Sequence, residues 1–267
     1  MSLNTITGSV CRRLGLTHAA VFDSGMFQGN LSGYCAQQDV DFLLYGNANY
    51  EHVKSLPEHL GFHIIRDPRD IVVSAYFSHL HSHPTDAWPE LEPHREALQS
   101  LNEEDGLSKE IQFREKSFRH MADWNYSQPE VLEIRFESFV ERSYETLLGA
   151  FLHLGLINED APGYGTLLGS ALRNSLASAR QRIGSPLIRF QAGKCIHATE
   201  LLSLVWKYRF EARTRGRVKG QEDVKNHYRK GRPGDWSHYF TPRLKDEFKK
   251  RYPGLVPDLG YEISDNW

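Results

Sequence analysis

Hydrophobic positions recur at helical spacing almost from the first residue. Leu3, Ile6, Val10 and Leu14 share one face, Arg12-Arg13 fall in the last turn and Gly15 follows, which predicts a helix ending there. HAAVF (18–22) predicts a short strand. Residues 23–39, rich in Gly, Ser, Asn and Gln, read as loop. DFLLY (41–45) predicts a second strand, stopped by Gly46-Asn47, and 49–60 a short helical connection. The stretch GFHIIRDPRDIVVSAYFS (61–78) carries the most local instruction. Phe62, Ile64 and Ile65 make a buried strand. Asp67-Pro68 supplies an N-cap followed by proline at the first helical position. Asp70 then falls at the third helical position, where negative charge suits the dipole, and Ile71, Val72, Ala75 and Tyr76 give an apolar face.

Residues 81–107 are polar and broken by prolines. They are too long for a plain connector, so a lid over a site is expected. Residues 108–127 read as helix and VLEIRF (131–136) as strand. In 143–156, Tyr144, Leu147, Leu148, Phe151 and Leu154 line one helical face. Residues 157–190 read as mixed helix and loop. Residues 191–226 read as a helical insertion with Leu201, Leu202, Val205, Trp206 and Phe210 in helical register and a basic loop, ARTRGRVKG, at 212–220. A last helix runs through Tyr252 to a tail ending in GYE. Strands alternating with helices predict an α/β fold with a parallel sheet flanked by helices, in a single domain spanning 1–267. Ligands of such sheets bind beyond the carboxyl ends of the strands, and both Arg66 and Phe136 stand at such ends.

Composition narrows the choices. The 267 residues are 40% hydrophobic and 25% charged, enough for one sizeable core. A net charge of −2 provides no general field for nucleic acid, and the basic runs lack interleaved aromatics, so no nucleic-acid partner is expected. Three widely spaced cysteines suggest neither a disulfide framework nor a zinc site. No apolar run approaches the ~18 residues of a membrane span, and no leader pattern opens the chain, so a cytoplasmic protein is expected. Oligomeric state is not legible.

Candidate chemistry lies in two places. Arg66 ends a strand and Ser74 sits in the helix that follows, so a guanidinium fork and a hydroxyl could converge on one anion. Near the C-terminus Arg229-Lys230-Gly231 precedes Gly234-Asp235-Trp236, placing two cations beside a glycine whose N–H can approach an anion closely. His79, His81, His83 and His94 invite a metal reading, but no cysteine or carboxylate has ligand spacing to them, and no metal is expected. They could instead line an acceptor pocket gated by Trp88. A P-loop kinase is not indicated, because GxxxxGK[ST] is absent.

RDPRD with a serine eight residues after its first arginine, RFES at a strand end and RKGxxGDW occur together and in this order. In this combination the chain resembles the sulfotransferases that use 3′-phosphoadenosine 5′-phosphosulfate, over roughly 40–160 and 225–262. The resemblance implies a P-loop-NTPase-like sheet. It implies that Arg66 and Ser74 bind the nucleotide 3′-phosphate and that Arg229, Lys230 and Gly231 close over it. Phe136 then stands where the family's aromatic contacts adenine. The implied reaction moves a sulfuryl group to a hydroxyl, or less often an amine, of a small molecule, glycan or lipid, leaving 3′-phosphoadenosine 5′-phosphate.

Two parts of the family pattern are missing. Such proteins begin with a strand and a loop of the type PKSGTTWL, which holds the 5′-phosphosulfate. Here only Met1-Ser2-Leu3 stands where that loop would run into its helix, so a missing N-terminal strand and phosphate loop are expected. The alternative is then a truncated, non-catalytic 3′-phosphoadenosine nucleotide-binding protein. The histidine many relatives carry after the strand matching DFLLY is replaced by Asn47-Ala48-Asn49, and His52 is the nearest candidate for the base.

Overall fold

A computed structural model describes residues 3–86, 88–158 and 195–267. The chain divides into two compact units. One comprises Met1–His63, Ser127–Leu132 and Arg142–Arg209, the other Ile64–Tyr126, Glu133–Glu141 and Phe210–Trp267.

The first unit opens with helix α1 (Leu3–Leu14), whose buried Ile6, Val10 and Leu14 match the expected apolar face. Strand β1 (His18–Val21) pairs in parallel with β2 (Phe42–Tyr45), from His18 opposite Phe42 to Val21 opposite Tyr45. The polar stretch between them is not plain loop. It holds a 3₁₀ turn (Ser24–Phe27) and helix α2 (Leu31–Gln37), each capped by a side chain: Asp23 accepts from Gly25 N–H and Asn30 from Gly33 N–H. Phe27 and Leu31 bury against Val21 with Tyr34 and Cys35 partly buried beside them, so the helical face of α2 is only three positions long amid polar residues. Helix α3 (Tyr50–Val53) follows, capped by Asn49. The described part of the unit ends with helix α9 (Ser143–His153), a parallel two-residue pair of β5 (Ile157–Asn158) with β6 (Ile196–His197), and helix Ala198–Lys207. Most of the stretch expected to mix helix and loop, and the start of the expected insertion, fall at 159–194, outside the described residues.

Strands β3 (Gly61–Ile65) and β4 (Val131–Arg135) form another pair. The fold is thus mixed α/β, with short strands and, among the described residues, three two-stranded sheets rather than one continuous sheet. Phe136, expected to end a strand, is instead the first residue of helix α8 (Phe136–Glu141).

In the second unit, helix α4 (Pro68–His81) begins as its sequence dictates: Asp67 Oδ1 accepts from Arg69 N–H at 2.9 Å and Pro68 takes the first turn. Val72, Val73, Tyr76 and Phe77 of α4 bury with Leu98, Leu107, Ile111, Phe118, Leu244 and Phe248. Two helices lie within 81–107 and its continuation, α5 (Leu91–Gln99) and α6 (Glu103–Phe113), with Leu91 and Leu98 fully enclosed. Gly106 lets α6 come close to α4, because a Cβ there would meet the Tyr76 ring at 2.5 Å. Helix α7 (Glu115–Ala122) completes this layer.

Helices α4, α5 and α6 enclose a polar cluster. Glu110 of α6 is fully buried, and its Oε2 accepts from His79 Nδ1 at 2.9 Å and from His94 Nε2 at 2.8 Å. Arg114 Nε donates to the other oxygen at 3.1 Å, and Arg114 Nη2 lies 3.4 Å from His79 Nε2. The expectation that no carboxylate partners these histidines is therefore corrected: Glu110 reaches both, from 31 and 16 positions away, and the three ligand atoms lie within 4.8 Å of one another. The geometry reads as a closed hydrogen-bond set, with the glutamate charge answered by Arg114.

Burial lowers the proton affinity of His79 despite Glu110. Burial alone would raise the Glu110 carboxyl, but bonds from His79 and His94 and the charge of Arg114 hold it below its usual range. Burial also pulls His83 down to about 4. All three bind protons more readily when unfolded, so stability is full above the unfolded histidine range, near pH 6.5, and falls on acidification. The urea midpoint is expected to drop steadily from pH 7.5 to 5, and H79Q to flatten that drop. An equally steep drop in H79Q would place the acid sensitivity elsewhere.

Candidate functional site

The second unit contains six of the seven residues singled out from sequence. Arg66 follows β3, Ser74 is half-buried on α4, Phe136 opens α8, and Arg229, Lys230 and Gly231 lie in the segment before helix Trp236–Tyr239. His52 lies in the first unit, on α3. Its Nδ1 is 2.8 Å from the Tyr45 hydroxyl and its ring meets Phe27 edge-on at 5.1 Å.

Two carboxylates at the N-terminus of α4 organise the region. Asp67 caps the helix and also grips Arg69, through Nε at 3.0 Å and Nη2 at 2.8 Å. Arg69 reaches Glu262 at 2.7 Å, and its Cζ lies 3.7 Å from the centroid of the Trp236 ring and 4.6 Å from that of Trp267. Asp70 does more than complement the helix dipole. Its Oδ2 accepts from Gly234 N–H at 2.6 Å and its Oδ1 from Trp236 N–H at 2.9 Å. Asp70 is 1% exposed, so these charge-assisted bonds act in a shielded setting. They fix the glycine-containing segment to the helix that carries Ser74.

The segment itself is held by a cation that looked merely basic in sequence. Arg217 donates to the carbonyls of Arg229 at 2.8 Å and Tyr228 at 2.6 Å. Lys219 Nζ donates to Val140 O at 2.5 Å. Two charges of the ARTRGRVKG run thus serve the backbone. Gly231 adopts φ +69°, and a Cβ there would meet the Phe210 ring at 2.6 Å, so only glycine fits.

Within this frame Arg66 stacks on Phe136, its Cζ 4.8 Å from the ring centroid. Burial lowers its proton affinity, Asp70 and Glu137 oppose that, and Arg229 adds to the lowering, so the two arginines share one electrostatic neighbourhood. Glu137 in turn accepts from Asp67 N–H at 3.0 Å and from the Tyr261 hydroxyl at 2.9 Å. Arg229 lies over the Phe77 ring at 4.7 Å. Its Nη2 donates to Asp235 at 2.5 Å, and its Nη1 pairs with Glu222. Lys230 pairs with the other oxygen of Asp235. Burial would lower the Arg229 pKa, but Asp235 and Glu222 outweigh it and raise it. Asp235 is held low by Lys230 and Arg229 against the opposing effect of burial.

The cation set is only partly satisfied. Among the described residues, four buried side-chain polar atoms lack a hydrogen-bond partner, and two are the Nε atoms of Arg66 and Arg229. Each is an N–H donor shielded from water. Asp235, within the GDW motif, was in view from sequence, though not as the partner of both cations. Glu222 belongs to no motif and only the structure reveals it.

Asp70 makes a sharp test of this arrangement. Asp70→Ala strips the acceptor from two backbone N–H groups and is expected to cost about 2–4 kcal/mol in urea unfolding. Protease cleavage within 228–236 should accelerate as well. An unchanged midpoint and cleavage rate would mean the segment is held without Asp70.

No family model matches this chain, and no curated protein matches it in sequence. Among solved structures, it is similar to mouse sulfotransferase SULT7A1, crystallised in complex with PAP. The similarity covers 96% of this chain and 81% of that one, at 16% identity and a TM-score of 0.42. At that level the likeness decides nothing about function, which rests on the residues above.

Proposed function

We propose that this chain binds a 3′-phosphoadenosine nucleotide through Arg66, Ser74, Arg229, Lys230 and Gly231, with Phe136 against the adenine. In this reading it is a sulfotransferase, passing a sulfuryl group from 3′-phosphoadenosine 5′-phosphosulfate to a hydroxyl, or less often an amine, of a small molecule, glycan or lipid. The observation that carries the reading is the pair of buried, unpartnered Nε–H donors on Arg66 and Arg229. Leaving such a donor unpaired costs about 1–3 kcal/mol each. Both belong to the arginines that the RDPRD and RKGxxGDW stretches singled out. A phosphate monoester brings about −1.5 to −2 charge and three strong acceptor oxygens, which suits this donor set. The nucleotide, when bound, supplies the sulfuryl group. The residues of this chain hold and orient its 3′-phosphate, and the ion pairs of Arg229 with Asp235 and Glu222 keep that guanidinium charged.

Titration calorimetry tests the binding half. The nucleotide 3′-phosphoadenosine 5′-phosphate should bind, and adenosine 5′-phosphate, lacking the 3′-phosphate, should bind far more weakly. A hydrogen bond to a charged group contributes about 1.5–3 kcal/mol, so R66A and R229A should each weaken the first ligand by roughly 10- to 100-fold. Equal affinity for the two nucleotides would sink the reading.

Release of 3′-phosphoadenosine 5′-phosphate from the sulfonated donor, in the presence of a panel of alcohols, tests transfer. Nucleotide binding with no release for any acceptor would leave a binding protein and remove the transferase half.

A further inference from the structure

We infer that Glu222 is a tethered competitor for the phosphate site, a carboxylate that occupies Arg229 until a nucleotide 3′-phosphate displaces it, and so sets how tightly that nucleotide is held. The inference rests on the nucleotide reading above and concerns the regulation of the same site.

Arg229 offers its side-chain N–H groups in a fixed planar array. Nη1 is taken by Glu222, Nη2 by Asp235, and Nε is buried without a partner. The two carboxylates are not equivalent. The Asp235 side chain is 3% exposed and also pairs with Lys230. It lies between Gly234 and Trp236, whose N–H groups are bound to Asp70. Asp235 is part of the frame. The Glu222 side chain is 32% exposed and lies outside any helix or strand. Its other contact is the Tyr239 hydroxyl at 3.4 Å. Glu222 can leave without disturbing a buried bond.

Charge decides what makes it leave. Arg229 and Lys230 together face Asp235 and Glu222, so the set as it stands is neutral. A phosphate monoester carries nearly twice the charge of a carboxylate and replaces Glu222 at Arg229 with a net gain. A ligand with a bare 3′-hydroxyl brings no charge and leaves the Glu222 pair in place. Glu222 therefore weakens binding of 3′-phosphorylated nucleotides alone. Because it remains attached beside the arginine, it is at hand to recapture it as the nucleotide departs.

The test compares wild type, E222Q and E222A by titration calorimetry with 3′-phosphoadenosine 5′-phosphate and with adenosine 5′-phosphate. Circular dichroism of the variants should superimpose on wild type, since Glu222 is at the surface. Both variants are expected to bind the 3′-phosphorylated nucleotide about 3- to 10-fold more tightly, with affinity for adenosine 5′-phosphate unchanged. If wild type binds the 3′-phosphorylated nucleotide and the variants bind it equally or more weakly, the inference is overturned and the nucleotide reading stands. A parallel gain for both nucleotides also overturns it. Failure of all three proteins to bind either nucleotide overturns the nucleotide reading itself.

Discussion

The second unit depends on one carboxylate. Asp70 sits in the first turn of α4 and accepts the backbone N–H groups of Gly234 and Trp236, 164 and 166 positions later. Without that acceptor both amides would lose their partner and the segment its anchor on α4, each loss costing a charge-assisted hydrogen bond. The N-terminal turn of the helix contributes its own positive field, which suits a carboxylate at that position. Local helix chemistry and long-range closure are thus met by the same side chain. The closing segment also brings Trp236 over Arg69, which Asp67 holds from the cap of the same helix.

This coupling explains how a segment with little regular structure carries placed cations. Residues 217–235 have no hydrophobic period, yet Arg217 pins their carbonyls and Asp70 their amides. Gly231 fits where Phe210 leaves no room for a side chain. Arg229 rests on Phe77, a core residue of α4. The cations ride on the same helix that buries the core, so their position follows from apolar packing rather than from loop propensity.

The elements that were legible in the sequence are those whose signal is local. Leu3–Leu14, His18–Val21, Phe42–Tyr45 and the Asp67 cap followed by α4 all announce themselves through period, capping residue or terminator. Helix α2 did not, because Leu31–Gln37 spans only two turns and buries one residue, Leu31. Phe136 was misplaced by one element because strand and helix abut there without a turn residue between them. At the site, the motif arginines and glycine were found, while their anionic partners were not. Glu137, Glu222 and Glu262 reach Asp67, Arg229 and Arg69 through the tertiary fold, and single carboxylates leave no periodic trace in a chain with 34 of them.

The histidine cluster and the arginine pair show why hydrogen-bond closure separates structure from site. Both are buried, polar and assembled from several elements. At Glu110 each carboxylate oxygen has a donor, and His79 has both nitrogens within reach of a partner. Nothing in that set asks for a further group, and a cation placed there would have to displace bonds and approach Arg114. Arg66 and Arg229 differ in kind. Their Nε–H donors are enclosed, fixed in direction by stacking on Phe136 and Phe77, and left without acceptors. A folded chain tolerates such a deficit where something outside it completes the count. At Arg229 the carboxylates of Glu222 and Asp235 take Nη1 and Nη2, and Nε–H is still left over. The protein's own anions meet the charge of that guanidinium without completing its hydrogen bonds.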